Sequence, residues 1–385
     1  MKVAFRTVWF QIPIFRGLGG SSMKKLTLGD VCKKESSNIA QKDIMECEGE
    51  YPIYGAGGFI KNVNFYQQEL PYIAVVKDGA GIGRTMLLPA YSSVIGTMQY
   101  ILPIDYESID LQYLYYAIVH MDLGKYFSGA TIPHIYFKDY KKEKLFLPEI
   151  CEQQRISLLL KQVDLMIEKQ NNQVELVDKL VQSRFVELFV GKNYDIVKAG
   201  SIIKEMRNGV SPSTSGGHFE KVLTLSAITQ GKFDDKAWKE GFFTDCPSTE
   251  KRITEDDFYI CRGNGNKSLV GMGVYALENR PDLVFPDTVI AAHIDTERMV
   301  LPYLWIMWQQ PEVRKQLESG ARTTNGTYKI NQKVISKIKI ICPPINEQEV
   351  FADFIKQVDK SKSVIQKSLD ELEILKKSLM QKYFG

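Results

Sequence analysis

The chain has 385 residues, of which 44% are hydrophobic and 25% charged, with a formal net charge of +3. That length and balance suit two or three folded domains and exclude wholesale disorder. The small net charge excludes any argument from overall basicity, so a nucleic-acid footprint must come from local clusters of Lys and Arg.

Residues 1–22 precede a well-formed domain start at Met23. Lys2 and Arg6 ahead of Val8–Phe15 loosely imitate a secretory signal, but Gln11 and Pro13 interrupt the apolar run and Arg16 closes it. We read this stretch as an extension or leader. The next segment, 23–148, mixes short strand patterns with Gly, Pro and Asn turns and a few helices, an α+β composition. Segment 149–191 then predicts one long helix. Its apolar residues step by four and three through Ile156, Leu160, Val163, Ile167, Val174, Val177, Val181 and Leu188, with Gln170 and Arg184 as polar exceptions. That spacing is a coiled-coil seam. Segment 192–343 repeats the α+β pattern. Segment 344–385 is a second seam of Phe351, Ile355, Val358, Ile365, Leu369, Leu372, Leu379 and Tyr383, interrupted by Lys362 and Lys376.

The organising feature is an internal repeat. Lys161-Gln162-Val163-Asp164 returns as Lys356-Gln357-Val358-Asp359, displaced by 195 residues. The same displacement aligns Pro148 with Pro343, Ile150 with Ile345, Glu152 with Glu347, Gln153 with Gln348 and Phe189 with Phe384. Looser matches precede the helices. Leu28–Val31 matches Ala199–Ile202, Tyr72–Val76 matches Phe258–Cys261, and Ile109–Tyr116 matches Val300–Ile306. The expected fold is therefore α+β: two homologous α/β domains, an internal duplication, separated by two long helices that pair with each other as a coiled coil. At 1.5 Å per residue each helix would be roughly 55 Å long, about 16 base pairs of duplex.

Catalytic readings fail in turn. Gly79-Ala80-Gly81-Ile82-Gly83 follows a strand pattern, but the next residues read as another strand rather than the helix a dinucleotide fingerprint requires, so a β-turn is expected. Gly263-Asn264-Gly265-Asn266-Lys267-Ser268 lacks the full phosphate-loop spacing. Cys342-Pro343-Pro344-Ile345 lacks the amide and the aromatic of an adenine-methyltransferase loop and sits at a helix entry. Pro286-Asp287 and Pro281-Asp282 have no Glu-x-Lys partner for a Mg²⁺ nuclease. The four histidines are scattered, and the six cysteines form no CxxC pair, which predicts reduced thiols in a cytoplasmic protein. No run approaches a membrane span.

Candidate DNA contacts are loop residues mixing basic, amide, hydroxyl and aromatic groups. The first domain offers Lys61, Asn62, Asn64, Lys77, Arg84, His134, Tyr136 and Lys138. The second offers Arg207, Asn208, Ser213, Thr214, His218, Arg262, Asn264, Lys267, Arg322, Thr323, Thr324 and Asn325.

From Met23 to Gly385 the pattern resembles the specificity subunits of type I restriction–modification systems. The resemblance is carried by Tyr51–Gly55 with Gly57-Gly58, Tyr72–Gly83, Gly129–Ile132, Gly320–Ile330, and the paired helix entries Leu147–Ile156 and Pro343–Gln348. It implies a subunit without catalysis of its own. It further implies two target recognition domains, 23–148 and 192–343, each reading half of a split and asymmetric double-stranded DNA site. Two spacer helices, 149–191 and 344–385, would pack as an antiparallel coiled coil with a pseudo-two-fold axis, set the gap and dock two methyltransferase subunits, and restriction–translocase subunits would join them. S-adenosylmethionine, ATP and Mg²⁺ are expected on those partners only, with no cofactor or metal on this chain. The rival readings are a specificity module of a related modification system, an enzyme with a cryptic site, and a coiled-coil adaptor that does not touch DNA.

Overall fold

The computed structural model describes residues 24–129, 133–213, 216–324 and 326–385. It divides into two compact units. One holds the described residues up to Asn171 together with Lys367–Gly385, and the other holds Asn172–Gln366. Each unit therefore takes one globular part and half of each long helix.

In the first unit, β1 (Lys24–Thr27) pairs antiparallel with β9 (Lys144–Leu147). A four-stranded sheet follows the order β2 (Cys32–Ser36), β8 (Met98–Pro103), β5 (Tyr72–Val76), β6 (Thr85–Leu88). A smaller sheet sets β3 (Tyr51–Gly55) between β4 (Gly58–Val63) and β7 (Ser93–Val94). Central strand β5 is buried along its whole length, and the helix Leu111–His120 packs over that sheet. Asp110 caps this helix by accepting from the Tyr113 amide at 2.7 Å.

The second unit repeats the plan. β10 (Asp195–Lys198) pairs with β22 (Lys339–Cys342). The large sheet runs β11 (Ile203–Asn208), β19 (Val289–Ile294), β15 (Asp257–Cys261), β17 (Gly273–Tyr275). The second sheet runs β13 (Trp238–Phe243), β12 (His218–Leu223), β18 (Arg280–Val284), β14 (Arg252–Ile253). In both units the central hairpin strand takes an antiparallel neighbour on one side and a parallel one on the other. The duplication expected from sequence is present at the level of strand order.

The two long helices are Ile150–Phe189 and Ile345–Phe384, and they pack antiparallel. In the first unit Asp164 meets Lys376 at 2.7 Å, and Gln170 donates to Ser368 Oγ at 3.2 Å. In the second unit Lys362 Nζ donates to Asp178 Oδ2 at 2.6 Å. Partner numbers fall as helix numbers rise, which is the antiparallel register. The lysines that interrupt the second seam are thus paired with aspartates of the first, and the polar positions pin the register.

One seam position differs from expectation. Arg184 points outward to Glu187 at 2.7 Å, and Phe185 is the fully buried residue. The reason is local. Near its end the helix turns its buried face so that Phe185 and Phe189 pack both on Tyr303 of the globular part and on Phe351 of the second long helix.

Both helix entries share one device. The buried Gln153 carboxamide accepts from the Asp110 amide at 2.9 Å and donates to the carbonyls of Pro148 at 2.8 Å and Ser108 at 3.0 Å. Gln348 does the same with Val300, Pro343 and Arg298 at 3.0, 2.8 and 3.1 Å. Tyr113 and Tyr303 complete the parallel, each donating its hydroxyl to a carbonyl of the strand that leads into the helix, Phe146 at 2.7 Å and Ile341 at 3.0 Å. The repeat kept these groups because each satisfies backbone that would otherwise be buried without a partner.

Candidate nucleic-acid interface

In the first unit a surface forms where three segments meet. The turn after β5 carries Gly79, Gly81 and Gly83, all at positive φ, the conformation glycine adopts without strain. Gly83 also has no room for a side chain, since a Cβ there would lie 2.4 Å from the Gly124 amide nitrogen. The expected β-turn is therefore what stands here, with β6 after it. Arg84 closes the turn and donates to the Ala56 carbonyl at 2.8 Å, which ties it to the tip of the β3–β4 hairpin. Gly79 donates to the Pro133 carbonyl at 3.0 Å, and the His134 imidazole bonds the Asp78 carboxylate. Tyr136 is half exposed and lies parallel to His134 with centroids 6.1 Å apart, and Lys138 Nζ sits 5.1 Å over the Tyr136 ring. Lys77, Arg84, His134, Tyr136 and Lys138 are thus neighbours. Lys61, Asn62 and Asn64 are on or beside β4, the far strand of the hairpin Arg84 holds, and Lys61 is occupied by the Met45 carbonyl at 3.1 Å.

The second unit places matched residues in the same part of its fold. β16 (Gly263–Asn264) pairs with β21 (Thr327–Lys329), and β21 pairs with β20 (Arg322–Thr324). In the first unit the same place holds the single bridges of His134 with Asp78 and Ser128. Arg322, Thr323, Lys329 and Lys267 are exposed here. Arg262 donates to the Asp287 carbonyl at 3.1 Å, and the Asn264 carboxamide accepts from the Asn266 amide at 2.8 Å. Thr214 and Asn325 lie outside the described residues, as does the side chain of Thr324.

Arg207 is differently employed. It forms an ion pair with the fully buried Asp257, which also accepts from the Thr254 hydroxyl at 2.7 Å and meets His293 Nδ1 at 3.2 Å. That network joins β11, β15 and β19 and turns Arg207 inward. Asn208 follows at the strand end, where Lys251 Nζ donates to its carbonyl at 2.9 Å. Ser213 bonds the Phe242 carbonyl through its amide at 2.7 Å, and His218 opens β12 on the exposed side.

Sequence reasoning missed the groups that position these side chains. Asp78 holds His134, and Arg314 holds the 267–270 turn by donating to the carbonyls of Ser268 at 2.7 Å and Val270 at 3.1 Å. Burial pulls the Arg314 pKa down from its ordinary value. No local pattern marks these partners, because each lies tens of residues away along the chain.

A half-buried pair gives the second unit a pH dependence. Arg252 donates two bonds to Glu220, at 2.6 and 2.7 Å, and these bonds hold the carboxyl below its ordinary value of 4.5. A depressed folded pKa stabilises above the unfolded value and is lost as pH falls through the folded one. Glu220→Gln is therefore expected to lower the melting temperature at about pH 7 and to lower it progressively less as pH falls below the ordinary carboxylate range, read by thermal melts along that series. A deficit that stays constant as pH falls would contradict the assignment.

With the fold and surface in place, comparison with known proteins defines the class. The profile of the family described as "Type I restriction modification DNA specificity domain" matches residues 20–176 and 303–374, more than half of the chain. The chain belongs to this family, whose class of work is DNA sequence recognition and not catalysis. Over 338 residues it is 22% identical to the type I restriction enzyme MjaVIII specificity subunit of Methanocaldococcus jannaschii, covering 80% of this chain and 77% of that one. It is 24% identical over 136 residues to the StySPI specificity subunit of Salmonella potsdam, covering 34% of this chain and 29% of that one. A crystal structure of a type I system S subunit from M. genitalium superposes with a TM-score of 0.58 at 16% identity, covering 96% and 98% of the two chains. A structure described under the assembly and conformational transition of the type I system superposes at 0.57 and 15% identity, covering 96% and 98%. Among the described residues no helix is long and apolar enough to cross a membrane, and no cluster of His, Cys, Asp and Glu could hold a metal ion.

Proposed function

We propose that this chain reads a bipartite, asymmetric double-stranded DNA target. Its recognition domains, 23–148 and 192–343, each take one half-site, and its helical segments, 149–191 and 344–385, set the distance between halves. The observation that carries the reading is the duplicated architecture, in which two domains of the same strand order present different side chains at the same place. Lys77, Ser128 and His134 stand in one unit where Arg262, Arg322 and Lys329 stand in the other, by matching backbone bridges. Similar frames with different readers call for two different half-sites. Lys and Arg contacts to phosphate would position each domain, and amide, guanidinium and aromatic groups would read base edges.

The helices would also dock two methyltransferase subunits, with restriction–translocase subunits completing the complex in the cytoplasm. In support, the first long helix keeps leucines on its outward side, Leu158 and Leu165 in the first unit and Leu176 and Leu180 in the second, all at least half exposed. Exposed apolar side chains grouped on one face mark protein contact. S-adenosylmethionine, ATP and Mg²⁺ would be bound by these partners.

The test is co-expression with the methyltransferase subunit of the same system, followed by sequencing of methylated adenine. The expected result is one split motif methylated on both strands and lost on deletion of either recognition domain. Methylation of an unchanged motif without this chain would overturn the reading.

A further inference from the structure

The second unit contains a cavity of about 320 Å³ beside the second long helix, apart from the surface assigned to DNA. Phe233, Tyr275 and Trp305 supply its aromatic lining, with Tyr275 edge-on to Trp305 at 6.2 Å. The Trp305 indole N–H donates to the Gly231 carbonyl at 2.9 Å, which fixes the ring. Three carboxylates line the same space, Asp235, Glu278 and Asp359, against two cations, Lys232 and Arg280. Both cations are already engaged. Arg280 pairs with Asp235 and with Asp282 at 3.0 Å. Lys232 Nζ lies 2.6 Å from Asp359 and 5.6 Å over the Trp305 ring.

Lys232 shows what the cavity accepts: an ammonium held between an aromatic face and a carboxylate. An excess of carboxylate repels DNA phosphate and favours a cationic side chain. At the rim stands Leu277, 83% exposed. An exposed leucine at the rim of an aromatic, partly desolvated cleft adds apolar surface that a partner would cover. Asp359 adds a link to the chain's partners, because it belongs to the second long helix, the element proposed to dock a methyltransferase subunit.

We infer that this cavity receives a Lys or Arg side chain of the methyltransferase subunit, with Leu277 and Glu278 as its rim and Lys232 as the resident cation that the incoming one displaces. The inference rests on the docking reading above and names one place where it happens. Lys232 weakens the contact by competing with it, so its removal should strengthen binding. A purely structural Lys232 would do the opposite.

The experiment measures the affinity of the full-length chain for the purified methyltransferase subunit by titration calorimetry. Three variants are compared after their melting curves are matched to the parent. Glu278→Lys is expected to weaken binding about tenfold and to reduce its salt dependence. Leu277→Ser is expected to weaken it about tenfold. Lys232→Met is expected to tighten it several-fold. Parent-like affinity in Glu278→Lys and Leu277→Ser overturns the inference, as does weaker binding in Lys232→Met. If those variants bind like the parent while Leu165→Glu abolishes binding, docking on the helices survives and only the cavity's part falls. If the parent itself does not bind the subunit, both readings fall together.

Discussion

Phe185→Ala is expected to destabilise the second unit by about 4 kcal/mol, the upper range for truncating a buried aromatic. Phe185 is fully buried and meets Phe189, Tyr303 and Phe351 with ring centroids 5.2, 5.6 and 5.7 Å away. All four rings sit where the first helix ends, the second begins and the helix Leu301–Trp308 crosses them. The neighbours are rigid rings on three separate elements, so the cavity cannot close cheaply. For a unit of this size the loss corresponds to roughly 10 °C in melting temperature. Calorimetry should show the effect in one transition, since the first unit shares none of these contacts. A shift below about 2 °C would mean that the helix end does not rely on this cluster. The adjacent Arg184→Ala, which removes only an exposed pair with Glu187, is expected to change little.

Gln348→Leu carries the next largest effect, about 3 kcal/mol. The substitution keeps the volume but strands the Val300 amide and the Arg298 and Pro343 carbonyls, all bonded to this buried carboxamide. Each stranded group costs about 1 kcal/mol or more. Gln153→Leu should behave alike in the first unit, where the partners are Asp110, Ser108 and Pro148. Urea unfolding of the two variants checks both the size and the symmetry of the prediction. A neutral result in either would show that water replaces the lost bonds.

These two sites also show where sequence reading succeeds and where it stops. The displacement of 195 residues exposed Gln153 and Gln348 as a matched pair, but nothing local revealed that they clamp a helix entry to a loop some 45 residues away. The heptad steps located both long helices and their polar seam residues. They misplaced the last turns of the first helix, because Phe185 packs at once on Phe351 of the second helix and on Tyr303 of the globular part, a joint core that heptad counting cannot see. Strand order was implicit in the loose repeat, yet the extra strand of the second unit's smaller sheet, β14, was not, being only Arg252–Ile253.

The candidate interface follows the same rule. Lys77, Arg84, His134, Tyr136 and Lys138 lie apart in the sequence as separate loop residues, and folding brings them onto one surface. Arg207 has the same chemistry in sequence but is consumed by Asp257, 50 residues further on. Whether a cation faces solvent or a buried carboxylate depends on a partner that only the fold supplies, so residue type alone over-selects.

The most direct test of two half-sites read by two separate domains is substitution in one domain with the whole methylated motif as readout. Arg322→Ala with Arg262→Ala, co-expressed with the methyltransferase subunit, should relax or abolish recognition at one half of the motif. The other half and the gap between them should stay unchanged. Alteration of both halves, or of the gap alone, would contradict a division of the target between the two domains.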